Sequence, residues 1–224
     1  MKNRFLRITV LVFLAATVFL LTSCGGAGRH IRFGTAGAGG NYYAFGESFA
    51  EILSAEEEDL KIDVKITAGS AANLRLLSGD YISMAIAQAD VISEAYNGTG
   101  VFEGKEPLKG YSAVAALYTE ACQIVTLDGS GMESIRDLRG KRVSIGEKES
   151  GTERNAQQIL LAYGLSDKML EEVSMSYEAA AKALKSGEID AFFCTAGAQT
   201  SAIEELGKQM KIRLLPVDGV EKES

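Results

Sequence analysis

The chain has 224 residues, 46% of them hydrophobic and 24% charged, an ordinary globular composition with room for one large domain or two small ones. Its formal net charge is −7, and no basic stripe is present to neutralise phosphates, so nucleic acid is excluded as a partner. A small anionic ligand remains compatible, because helix termini act locally while a diffuse surface charge is screened.

Residues 1–23 read as a targeting segment. Lys2, Arg4 and Arg7 precede an uncharged apolar run from Ile8 to Leu21, which suits a signal-peptide core and is short for a membrane span. The stretch "LTSC", Leu21 to Cys24, resembles the bacterial lipobox. That resemblance implies cleavage before Cys24 and a lipoprotein anchor, a diacylglyceryl thioether with palmitate-type chains, on this cysteine. Residues 24–29 then form a flexible leash. An uncleaved anchor or an ordinary signal peptide is the alternative; either way the rest is expected outside the cytoplasm, at a membrane.

Past the leash, "HIRFG" (His30 to Gly34) reads as a strand and leads into "GTAGAGGNYYAFG". The dinucleotide fingerprint fails there because Tyr42 stands where the third glycine belongs, and a phosphate loop fails because Asn41 rather than Lys follows Gly40. A helix from Tyr42 to Leu53 follows, with Phe45, Phe49, Ile52 and Leu53 as its apolar stripe. Next come strand "KIDVKIT" (Lys61 to Thr67), helix "AANLRLLS" closed by Gly79, strand "ISMAIA" (Ile82 to Ala87) and helix "QADVISEAY". A Gly- and Lys-rich loop leads through "YSAVAALY" to strand "CQIVTL", a short helix "MESIRDLRG" and strand "KRVSIG". Helix "ERNAQQILLAYG" places Ala156, Ile159, Leu160 and Tyr163 on one face. "VSMS", helix "YEAAAKALKSG", strand "IDAFF", helix "SAIEELGKQ" and strand "KIRLLP" complete an α/β pattern with largely parallel sheets.

An internal echo is visible. "LLSGDYISMAIAQA" and "LKSGEIDAFFCTAG" each run helix end, Ser-Gly, acidic residue, buried strand and loop, with Gly79 and Gly187 free to take a left-handed cap. Generic similarity between helix–strand units is one reading; two similar lobes facing one another is the other. Two such lobes would aim their strand-to-helix turns into a shared cleft. Five turns fit that role: Gly37 to Tyr43, Ala68 to Asn73, Gln88 to Asp90, Glu149 to Thr152 and Ala196 to Thr200. Helix N-termini there favour a carboxylate or other anion. Ser70, Ser150 and Thr152 are natural N-caps, which also explains any one of them without a ligand. Gln88 and Asp90 suit a ligand ammonium or hydroxyl, or plain capping.

Catalysis finds little support. The single histidine, His30, stands six residues past Cys24, so no Ser-His-Asp or Cys-His arrangement assembles around it. "EEED" (Glu56 to Asp59) is a solvated charge run, and no spacing marks a metal or a cofactor. Cys122 and Cys194 lie in apolar strand-like stretches, where two buried free thiols are expected and a disulfide is the alternative. The expectation is a binding protein rather than an enzyme.

In series, "GTAGAGGNYYAFG", "TAGSAANLRLLSG", "MAIAQADV", "ALYTEACQIV", "IRDLRGKRVSIGEKESGTERNA" and "LKSGEIDAFFCTAGAQTSAIEEL" resemble the TAXI family, from Ile31 to Pro216. These are extracytoplasmic solute receptors of tripartite ATP-independent periplasmic (TRAP) transporters. The resemblance implies a type II periplasmic-binding-protein fold: two α/β lobes with largely parallel sheets around a central cleft, a first lobe over 30–117 and a second over 118–216, with 217–224 a tail. It implies a small carboxylate or amino acid such as glutamate as ligand and TRAP permease subunits as partners. It places the ligand-binding turns on Gly39, Gly40, Tyr42, Tyr43, Ser70, Ala71, Asn73, Gln88 and Asp90, then on Ser150, Gly151, Thr152 and Gly197. Ala44, Thr119 and Gln199 stand where the family usually has proline, which loosens those turns. Family members also continue well past "RLLP", so the resemblance implies that closing elements of both lobes are missing here. A ligand-sensing lipoprotein feeding a signalling protein and a truncated, non-binding surface antigen are the rival readings.

Overall fold

The computed structural model describes residues 29–218. The targeting segment and Cys24 lie outside the described residues. The first part of the chain runs β1 (Arg29–Gly34), α1 (Asn41–Glu56), β2 (Leu60–Lys65), α2 (Ser70–Ser78), β3 (Met84–Ala85) and α3 (Ala89–Asn97). After a crossover come β4 (Ala121–Leu127), β5 (Arg142–Ser144), α4 (Gly151–Ala162), β6 (Glu171–Val173), α5 (Tyr177–Ser186), β7 (Ala191–Ala196), α6 (Ser201–Gln209) and β8 (Ile212–Leu214).

Two sheets result. The first has the order β2-β1-β3 and is parallel throughout, with Ile31 opposite Ile62 and Phe33 opposite Met84. The second has the order β6-β5-β7-β4-β8; β5, β6 and β7 are parallel, and β4 runs antiparallel to both β7 and β8. Helices cover both faces of each. Phe33, Tyr42, Ile62 and Ile86 pack with α1 on one side of the first sheet, while Leu74, Val91, Ala95 and Phe102 fill the other. In the second sheet β7, "AFFCTA", is buried along its whole length, the mark of a strand sandwiched between helical layers. This is an α/β fold of two lobes with parallel-rich sheets.

Several expectations change in detail. Ile52 is 63% exposed and leaves the α1 stripe, which is carried by Phe45, Phe49 and Leu53. The strand expected over Ile82 to Ala87 keeps its buried isoleucines, but only Met84 and Ala85 form a ladder, flanked by bonds from the Ser83 amide to the Arg32 carbonyl and from the Ile86 amide to the Gly34 carbonyl. "MESIRDLRG" makes a single 3₁₀ turn, Ile135–Leu138, with Ser134 and Asp137 forming a capping box at its start. "YSAVAALY" forms no regular element, and Val114 within it is 90% exposed.

The two echoing helix ends close in the same way, one residue apart. At α5, Gly187 is left-handed (φ 75°), and Gly187 and Glu188 donate to the carbonyls of Leu184 and Ala183. At α2, Gly79 is not left-handed (φ −97°); Asp80 takes that conformation (φ 57°), and Asp80 and Tyr81 donate to Leu77 and Leu76. The extra residue before the strand moves the positive φ from glycine to aspartate, a residue that tolerates it.

Cys122 and Cys194 are free thiols. Cys122 pairs across the ladder with Thr195, and Cys194 with Gln123. That one-residue offset puts the two sulfurs on opposite faces of the sheet, each packed into a different core, so no disulfide forms. Burial pushes the Cys122 thiol up to about 11 and that of Cys194 to about 12, which keeps both protonated.

Candidate functional site

The carboxyl ends of both sheets point at each other, and the turns leaving them line one cleft. Gly40, Tyr42, Ser70 and Gln88 come to it from the first lobe, and Ser150, Gly151 and Thr152 from the second. The cleft is partly open to solvent and holds about 40 Å³, room for about three waters at roughly 10–15 Å³ each. The lobes are in direct contact around it.

Bonds between them show how. The amides of Ala71 and Ala72, at the start of α2, donate to the Glu149 carbonyl at 3.1 and 3.3 Å. Glu149 presents that carbonyl from a left-handed conformation (φ 70°), and its carboxylate meets Arg75. Arg154 Nε donates to Glu94 Oε1 at 2.8 Å, Gln88 Nε2 to Asn155 Oδ1 at 3.0 Å and Asn155 Nδ2 to Asp90 Oδ2 at 3.3 Å. On the far side of the cleft, Asn41 Nδ2 donates to the Gln199 carbonyl and Ser201 Oγ to the Gly39 carbonyl, both at 3.0 Å.

The other expected positions lie off the lining. Ala71 packs into the core with Leu74, and its amide is taken by Glu149. Asn73 is fully buried: its Nδ2 donates to the carbonyls of Thr35 (2.7 Å) and Ile86 (2.8 Å), and its Oδ1 accepts from Thr67 (2.7 Å). It ties three chain segments together. Asp90 is exposed and accepts from the Val91 amide and Asn155. Gly197 lies against Asn41, and Tyr43 does not line the cleft. Gly39 and Gly40 do not have positive φ; Gly40 is extended at φ −101°, with ordinary room for a Cβ, whereas a Cβ on Gly39 would sit 2.5 Å from the Glu178 carboxyl carbon.

The hydroxyls divide their work. Ser150 is the N-cap of α4, its Oγ accepting from the Glu153 amide at 3.0 Å. Ser70 is not a cap: α2 starts on it after Gly69, and its Oγ accepts from the Gln88 amide at 3.1 Å. Thr152 Oγ1 accepts from the Thr195 amide (3.3 Å) and lies 2.5 Å from Tyr177 Oη. Tyr177 donates its one proton to the Thr195 carbonyl (2.8 Å), so Thr152 donates to Tyr177 and its hydroxyl is spent within the second lobe. What α4 offers the cleft is backbone: the N–H groups of Gly151 and Thr152 have no hydrogen-bond partner among the described residues.

Sequence reading missed Glu120, Glu147 and Tyr177, and took in Asn41 only as part of the Gly37 to Tyr43 turn; all four line the cleft. Glu120 Oε2 accepts from Tyr42 Oη at 3.0 Å. Burial lifts its carboxyl above the usual carboxylate range, with Tyr42 and Gln88 pulling the other way. Glu147 is raised by burial and then by Glu178. Among the described residues the lining holds these two carboxylates and no lysine, arginine or histidine. Among the described residues no His/Cys/Asp/Glu cluster suits a metal ion, and no helix is long and apolar enough to cross a membrane.

Two α/β lobes whose strand ends and helix N-termini meet across a cleft define the type II periplasmic-binding-protein fold. Solved proteins of that fold superpose on the chain. The alkanesulfonate-binding protein SsuA from Xanthomonas axonopodis pv. citri, bound to MOPS, matches 84% of this chain and 60% of its own at 19% identity, with a TM-score of 0.55. The binding-protein component of an ABC phosphonate transporter from Pseudomonas aeruginosa matches 84% and 64%, at 14% identity and a TM-score of 0.57. Holo ArgBP from T. maritima matches 83% and 76%, at 15% identity and a TM-score of 0.53. The chain thus spans less than two thirds of the length of the first two. Residues 33–224 match the NMT1-like family, and the chain belongs to it.

Proposed function

We propose that the protein is a non-enzymatic, extracytoplasmic solute receptor that closes its lobes over a small carboxylate or amino acid and delivers it to a TRAP-type permease. The observation that carries this reading is the meeting of α1 and α4 N-termini at one narrow cleft, with the Gly151 and Thr152 amides unpaired among the described residues. Two unpaired amides at a helix N-terminus suit one carboxylate, because the donors and the helix dipole both favour negative charge. The names of the fold neighbours, binders of sulfonate, phosphonate and arginine, support a solute-binding role. The TAXI resemblance supports the permease assignment, and the lipobox at Cys24 supports tethering by lipid at the membrane. The site-residue assignment is narrowed to the lining: Gly40, Tyr42, Ser70, Gln88, Ser150, Gly151 and Thr152, with Glu120 added.

The test is a comparison of small carboxylates with their primary amides, titrated into the full chain held in detergent. The acid should bind at least tenfold more tightly than its amide, about 1.4 kcal/mol. Equal affinities would remove the amides of α4 from the binding site.

A further inference from the structure

We propose that the ion pair between Glu94 and Arg154 is a latch that keeps the two lobes in contact when no solute is bound, and that its opening admits the solute to the cleft. The inference goes beyond the receptor reading and does not depend on which solute the cleft takes.

The pair joins the lobes away from the solute. Glu94 belongs to α3 of the first lobe and Arg154 to α4 of the second, and neither lines the cleft. Arg154 instead lines a second cavity of about 190 Å³, shared by Arg75 and Lys105 of the first lobe and Lys148 and Glu149 of the second. The contact is built on both sides. Arg154 sets Nε at 2.8 Å and Nη2 at 2.6 Å from Glu94 Oε1, two charge-assisted bonds. Glu94 is seated by its own lobe: its Oε2 accepts from the Val101 amide at 3.5 Å. Gly100, left-handed at φ 56°, leaves the space the carboxylate fills, and a Cβ there would collide with it. The Glu94 side chain is 14% exposed and that of Arg154 22%, against 62% and 67% for the surface pair Glu205–Lys208. A solvated pair contributes little, whereas removing one partner of a mostly buried pair strands the other charge. Parting the lobes would hydrate that stranded charge, so its loss of partner favours the open form.

The neighbouring contacts supply a reporter. Arg75 pairs with Glu149, whose carbonyl takes the amides of Ala71 and Ala72. Among the described residues these two amides bond only across the lobes, so their protection from exchange reads lobe contact directly. The next amide, that of Asn73, bonds to the Gly69 carbonyl in its own lobe at 2.8 Å and reads α2 alone. The cleft has room for about three waters, so a larger solute enters once the lobes part.

The experiment is residue-resolved amide hydrogen exchange by NMR on the full chain in detergent, without solute. Wild type is compared with Glu94→Gln, Arg154→Gln and the double variant. In wild type, Ala71 and Ala72 should exchange at least tenfold more slowly than in an unstructured peptide of the same sequence. Either single variant should speed both amides at least tenfold and leave Asn73 unchanged, and the double variant should be no faster than the single ones. Glu94→Gln keeps an acceptor for the Val101 amide, and if one variant does not fold the other carries the test. Unprotected Ala71 and Ala72 in wild type, or unchanged rates in the variants, overturn the latch. So do a faster Asn73 and a double variant in which the two single effects multiply. Each of these results leaves the receptor reading standing, because no solute is present.

Discussion

Replacing Gly151 with alanine separates lobe closure from lobe stability. Gly151 opens α4 with an ordinary negative φ, so alanine strains no backbone there and suits a helix better than glycine does. Its Cβ, however, would lie 1.7 Å from Gln88 Oε1, 2.3 Å from Gln88 Cδ and 3.0 Å from Ser70 Oγ, all in the opposite lobe. Gln88 must swing away, which breaks its 3.0 Å bond to Asn155, worth about 0.5–1.5 kcal/mol net. Ser70 must also give by a few tenths of an ångström. Together these place the penalty on the closed form near 1.4 kcal/mol, or about tenfold in affinity. Calorimetric titration of Gly151→Ala with the strongest-binding amino acid should show that weakening, while the thermal midpoint without ligand is unchanged or higher. Wild-type affinity in a folded Gly151→Ala chain would mean that the contact between α4 and Gln88 is not part of the binding form.

Three further outcomes follow from the same geometry. Asn73→Ala should lower unfolding free energy by about 2 kcal/mol, because two buried carbonyls and Thr67 lose their partner; urea denaturation checks it, and a loss within error would reduce Asn73 to a bystander. Glu120 has a raised folded-state pKa, so its contribution to stability is full below its unfolded value and declines as pH rises through the folded one. Glu120→Gln should therefore be more stable than wild type near neutrality and converge with it in acid, and a variant less stable near neutrality would contradict the stated burial. Cys24→Ser should release the protein from membranes, since firm anchoring needs more than one acyl chain; a variant that still fractionates with membranes without lipid would refute the lipobox reading.

Local patterns made most of the scaffold legible. Helix α6 was readable over "SAIEELGKQ" because Ala202, Ile203 and Leu206 recur at helical spacing, and these residues are buried. Ser150 was readable as a cap, since capping is decided within four residues. What escaped depends on tertiary neighbours. Nothing local distinguishes Glu120 from the solvated "EEED" run; the hydroxyl that bonds it belongs to Tyr42, 78 residues earlier. Thr152 looked free to serve a ligand, and its hydroxyl is consumed by Tyr177, 25 residues on. The start of α2 looked like a ligand turn for the same reason, until Glu149 from the opposite lobe took its amides. Turn chemistry shows where donors gather, and only the packed lobes show which of them stay unspent.

The central claim is that the cleft between the lobes captures a small solute. Titration calorimetry of the full chain in detergent against the common amino acids and small carboxylates tests it most directly. The account predicts saturable heat at one site per chain for at least one small carboxylate or amino acid, weakened in Gly151→Ala. A chain that unfolds cooperatively yet gives no heat with any of these compounds would contradict it.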